Sequence, residues 1–213
     1  MKFNMNSPLM DFLNTSAHYA ALNLIFLMTC IPVITIGPAL AALYQVMLRE
    51  ARGEHGYLIR KYFQHFKEMF WQAMFTFIFF TALLLLITFS FVFWFHTEGT
   101  LAVVVSVLLF ILGTVVCSGM IYVFPLMARF KNGFILTIKN ALVLSLANTK
   151  ITFILLILHL SEIGIIVLFP PIRVLMLIVG FTAFVYGFSF IFTRLFKSYE
   201  PNELPSPAFS HDM

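Results

Sequence analysis

The sequence predicts an all-α, polytopic transmembrane helical bundle, on three observations. Hydrophobic residues make up 61% of the chain and charged residues 10%, with a mean hydropathy of +0.98, well outside the make-up of water-soluble domains. Several apolar runs approach or exceed the ~20 residues that a helix needs to cross a bilayer. Lys and Arg flank those runs without interrupting them, a distribution that sets orientation in a membrane. The net charge of +4 therefore serves topology, and no nucleic-acid partner is read from it. Cys30 and Cys117 both sit in apolar runs and are too few for a disulfide framework or a thiolate metal site.

Ser7 followed by Pro8 reads as an N-cap and a first-turn proline, starting a helix over residues 8–31. At ~1.5 Å per residue this helix is long enough to cross, with Asp11, Asn14 and His18 holding its first turns at the interface. Asn23, inside it, is placed to hydrogen-bond across helices. Residues 22–36 do not suit a signal peptide, because the segment before them is long and Lys2 is its one cation. The next run, CIPVITIGPALAALY, is broken by Pro32, Gly37 and Pro38. Proline removes a backbone donor, and in lipid the freed carbonyl needs a partner, so the break is expected to be packed in protein. Pro38 suits the first position of a second helix ending near Arg52, before Gly53 and Gly56. That helix is short. It either crosses a thinned region or returns as half of a re-entrant hairpin.

Residues 57–70, YLIRKYFQHFKEMF, mix basic and aromatic side chains at helical spacing, the pattern of an amphipathic helix in the cytoplasmic headgroup layer. Residues 71–95 and 101–127 form a pair of spans. The first carries Trp71 and Trp94 near its ends; the second has a small-residue face of Gly113, Thr114, Cys117 and Ser118. Residues 132–148 read as a second amphipathic interfacial helix, with Arg129, Lys131, Lys139 and Lys150 around it. Residues 151–169 and 172–192, joined by Pro170 and Pro171, make a third pair that leaves the membrane at Arg194 and Lys197. Residues 1–198 thus form one transmembrane domain, and the proline-rich stretch 199–213 reads as a disordered cytoplasmic tail.

Three hairpins result, and each returning arm ends in a basic group: Arg49 with Arg52, Arg129 with Lys131, and Arg194 with Lys197. With both termini inside, every Lys and Arg except Arg173 is cytoplasmic, which gives six membrane segments; a single kinked first span gives five and an outside N-terminus.

Chemistry concentrates at His159 and Glu162, three residues apart on one helix face near the middle of a span. A carboxylate at that depth costs ~2.5–3.5 kcal/mol, so Glu162 must be protonated, paired or facing a wet cavity. A functional site there is a proton or cation relay, or the polar lining of a solute path. The structural alternative is a staple, His159 to Glu162 or Glu162 to Arg173 across the double proline. One such pair supplies too few ligands for a metal, and GxSxG, HExxH and Gly-rich phosphate loops are lacking. A non-enzymatic chain without cofactor or metal is therefore expected. Arg49, Arg52, Arg60, Lys61, Lys67, Arg129, Lys131 and Lys139 exceed what orientation requires and are candidate contacts for anionic lipid or an acidic partner.

The broken span CIPVITIGPALAALY, the charged RGEHGY turn, the FQHFKEMFWQA segment and the alternating spans after it resemble the YesL family, over roughly residues 23–197. The resemblance implies a multi-pass protein of the bacterial cytoplasmic membrane, from a family often encoded beside carbohydrate ABC importers and sugar-responsive two-component systems. It implies an accessory or assembly subunit for oligosaccharide uptake, with ABC permease or ATPase subunits or a sensor kinase as partner. It supplies no catalytic or ligand residues. The residues themselves also allow a small-solute or ion-coupled transporter or channel built on Glu162 and His159.

Overall fold

The computed structural model describes residues 8–54 and 56–199; the Ser7 cap and the tail beyond residue 199 lie outside them. The described residues contain helices and no strand. In order these are α1 (Pro8–Thr29), a 3₁₀ turn (Val33–Thr35), α2 (Ile36–Ala51), α3 (Leu58–Glu68), α4 (Phe70–Phe95), α5 (Thr100–Arg129), α6 (Phe134–Ala147) and α7 (Thr149–Leu168). Then α8 (Pro170–Leu175), a π-helical turn (Met176–Gly180) and α9 (Phe181–Lys197) make one continuous rod. Four helices are long and apolar enough to span a bilayer: α4, α5, α7 and the Pro170–Lys197 rod. Their outward faces carry large apolar residues such as Phe89, Phe110 and Leu160, as lipid requires.

The helix at the centre is α2. Of its 16 residues, 11 are buried, among α3, α4, α5 and α9. Small residues allow this. Ala39, Ala41 and Ala42 are fully buried, and a Cβ on Gly37 would run into the Ala73 carbonyl and come within 2.6 Å of Phe77 Cβ. Gly37 thereby fixes the first turn of α2 on the first turns of α4. The last turn of α2 reaches Arg129, at the end of α5: Arg52 and Arg129 line one cavity, together with Lys197 from the end of α9. The start of α4 and the end of α5 are at the same end of their hairpin, since the Gln72 amide donates to the Asn132 carbonyl at 2.9 Å. Both ends of α2 therefore meet one end of the α4–α5 pair. This fits the re-entrant arrangement better than a full crossing, and a length of ~24 Å suits it.

The proline break differs from the packed break expected. Gly37 and Pro38 are buried, but Pro32 is exposed, with Ile31, Val33 and Ile34. Local hydrogen bonding accounts for this. The Thr35 hydroxyl lies 2.6 Å from both the Thr29 and the Pro32 carbonyls, so a side chain satisfies the last carbonyl of α1 where the proline break ends the helix.

The two stretches read as amphipathic are turned in opposite senses. Helix α3 buries Leu58 and Tyr62 at i and i+4 and exposes Arg60 and Lys67. Helix α6 buries Thr137, Ala141 and Ser145 and turns Ile135, Leu136, Val143 and Leu146 outward. Small and weakly polar residues facing protein, with apolar ones outside, suit a helix bathed in lipid. Of the three expected hairpins, α4–α5 packs along its length, Phe80 lying over Gly119 and Ile87 beside Gly113. The last rod packs on α2 and α1, and meets α7 where Phe188 stacks on His159.

Gly37→Ala is expected to lower stability by ~1–3 kcal/mol through overpacking, overriding the ~0.5–1 kcal/mol that alanine gains over glycine in a helix. Gly133, at φ −66° with open space around its Cα, should accept alanine within ~0.5 kcal/mol. Thermal unfolding of both variants in micelles checks the difference.

Candidate functional site

Helix α7 does place His159 and Glu162 together. Both line a cavity of about 290 Å³ whose other walls come from α1, α2, α5 and α9. His159 Nδ1 is 2.8 Å from the Leu155 carbonyl, so this nitrogen carries a proton and donates it to that carbonyl. The ring stacks on Phe188 with centroids 4.4 Å apart and planes 10° from parallel. Glu162 has no hydrogen-bond or ion-pair partner among the described residues; Tyr44, which lines the same cavity from α2, interacts with it electrostatically. The rest of the lining is aromatic and aliphatic: Phe26, Leu40, Cys117, Met120, Ile121, Phe124, Phe181, Phe184 and Val185.

Neither staple considered from sequence forms. Arg173 is directed at the end of its own hairpin: Nε donates to the Ile166 carbonyl at 3.0 Å and Nη2 to the Val167 carbonyl at 3.1 Å. In an α-helix those carbonyls would accept from residues 170 and 171, which are both prolines and have no N–H. Arg173 replaces the two missing donors, and Glu162 is left without it.

Asn23 repairs a break of another kind. It is fully buried, and its side-chain nitrogen donates to the Met176 carbonyl at 3.0 Å and the Leu177 carbonyl at 2.8 Å, while Oδ1 accepts from the Thr182 backbone N–H at 3.0 Å. These groups flank the π-helical turn, where the regular i→i−4 ladder is interrupted. Asn23 is thus an interhelical tie between α1 and the last rod.

The basic residues divide by position. Arg49 and Arg52 pair with Glu54 at 3.1 and 2.7 Å, and a cavity of about 330 Å³ beside them is lined by Arg52, Arg129, Thr193, Phe196 and Lys197. The Arg52 hydrogen bond, aided by the fields of Arg52, Arg49 and Arg129, holds the Glu54 carboxyl below the usual carboxylate range. Phe130 meets Phe196 at 5.5 Å, joining the ends of α5 and α9 beneath this cluster. Arg60 and Lys67 stand on the outer face of α3, Lys61 lies half-buried beside Gly56, Lys131 is exposed after α5, and Lys139 is exposed on α6. The ends of the three returning arms thus converge at Arg52, Arg129 and Lys197. Glu54, Lys197 and Tyr44 belong to these two sites and were not singled out from sequence as site residues. Tyr44 carries the one readable signal, a phenol within an Ala- and Leu-rich helix.

Residues 19–91 match the model of a family described as "Protein of unknown function, DUF624". The match takes in the second half of α1, the proline break, α2, α3 and most of α4, which supply one wall of the cavity and part of the basic end. No curated protein and no solved structure matches the chain.

Asn23→Ala leaves two carbonyls and one N–H inside the bundle without partners and is expected to cost ~1–3 kcal/mol. Its signature is faster hydrogen exchange confined to the Thr182 amide and its neighbours, read by mass spectrometry alongside the fall in melting temperature.

Proposed function

We propose that this chain is a non-enzymatic accessory or assembly subunit of a bacterial oligosaccharide ABC uptake system, lying in the cytoplasmic membrane with its basic end and C-terminus inward. The observation that carries this reading is the gathering of helix ends from α2, α5 and α9 into one basic end, with the basic face of α3 beside them. Basic residues on the cytoplasmic side orient a membrane protein, and this cluster exceeds that need. The family match falls on the stretch that resembles YesL proteins, whose genes often lie beside sugar importers, and this supports a permease subunit, an ATPase or a sugar-responsive sensor kinase as the partner. A second reading, a small-solute or ion-coupled transporter, is favoured by one observation: Glu162 lines its cavity without an ion pair among the described residues.

Replacing Arg60, Lys61 and Lys67 together by Gln is expected to reduce recovery of the partner by about tenfold in gentle detergent extracts of the native cell, with membrane insertion intact. Unchanged recovery of the complex removes the docking role of α3.

A further inference from the structure

Building on the second reading, we propose that the cavity at Glu162 binds a small organic cation, an ammonium group carried on an apolar body. An ionised carboxylate at this depth needs a counter-charge. Among the described residues none is supplied. Arg173 is committed to the Ile166 and Val167 carbonyls, His159 is held by the Leu155 carbonyl and stacked on Phe188 without an ion pair to Glu162, and Tyr44 is a phenol. The remaining Lys and Arg of the described residues flank the spans, outside this cavity.

The walls match the same ligand. Phe26, Phe124, Phe181, Phe184 and Phe188, with Tyr44, surround the carboxylate with π surface, the environment in which ammonium groups are held by ring quadrupoles. The volume of about 290 Å³ suits a small molecule. Other ligand classes fit poorly. A saccharide would bury several hydroxyls against a lining whose polar groups are Glu162, His159, Tyr44 and the Cys117 thiol, leaving most of them unpaired. A metal ion finds no group of three His, Cys, Asp or Glu among the described residues. An anion meets the Glu162 carboxylate and no cation.

The full-length protein in nanodiscs, titrated with benzyltrimethylammonium and with its uncharged isostere neopentylbenzene, tests this. The expected result is saturable binding of the cation, no competition by equal concentrations of the isostere, affinity at least about tenfold lower in Glu162→Gln, and affinity kept within a few fold in Glu162→Asp. Equal competition by the isostere, or no saturable cation binding to the wild-type protein, overturns the site without need of any variant; an unchanged affinity in folded Glu162→Gln does so too. Cation flux in proteoliposomes separates the site from the transport reading: binding without flux upholds the site and removes transport.

Discussion

Within a bilayer no water is available to a freed backbone group, and the rest of this structure depends on how that constraint is met. The chain interrupts its helices at Pro32, at Pro170 and Pro171, and at the π-helical turn Met176–Gly180. A side chain repairs each place. Thr35 serves the first, Arg173 the second and Asn23 the third. Two of these repairs also determine tertiary structure. Asn23 ties α1 to the last rod, and the Thr35 turn lets α2 enter the bundle at the start of α4. Because Arg173 is used in this way, Glu162 has no counter-charge among the described residues, so a local backbone requirement shapes the electrostatics of the cavity.

Once α2 enters at Gly37 it becomes the element that the other helices pack around. Its alanines permit close approach, and two of its polar side chains, Tyr44 and Glu50, are buried. Tyr44 reaches the intramembrane cavity, whereas Glu50 lies between Arg49 and Arg52 at the basic end, near Tyr19 of α1. The two candidate sites are thus built on one helix. The cavity has an apolar, aromatic lining that suits a hydrophobic cation and not a sugar, so in the accessory reading recognition of the saccharide belongs to the partner. The basic end is water-facing, and its pairs with Glu54 are partly exposed, of the kind worth ~1 kcal/mol or less each. Such a surface is suited to docking and contributes little to holding the bundle together.

Much of this was legible in the sequence. Apolar length located the four spanning helices but also counted α1, which is not among the helices long and apolar enough to span; the Lys and Arg bias pointed to one basic surface, and i, i+3 spacing put His159 and Glu162 on one face. The misreadings have physical sources. Periodicity in residues 132–148 reveals two faces without saying which one meets protein; lipid reverses the choice that water would make, and α6 turns its apolar face out. Opposite charge suggested Glu162 with Arg173, but the nearer need was that of two carbonyls deprived of donors by consecutive prolines. A burial argument for the whole Pro32–Pro38 break overlooked Thr35, whose hydroxyl does locally what packing would otherwise do. Tyr44 and Glu54 acquire roles through contacts between segments distant in the chain, which no local pattern encodes.

The central claim is that α2 begins and ends at the same end of the α4–α5 hairpin. Double electron–electron resonance between spin labels tests it directly, in a background lacking Cys30 and Cys117, with Ile34→Cys paired first with Lys131→Cys and then with Glu98→Cys. Helix α4 has 26 residues, about 39 Å of rise, between its two ends. The account predicts a 34–131 distance much shorter than the 34–98 distance. A label at residue 34 lying closer to residue 98 would show that α2 runs the length of the hairpin, and would contradict the account.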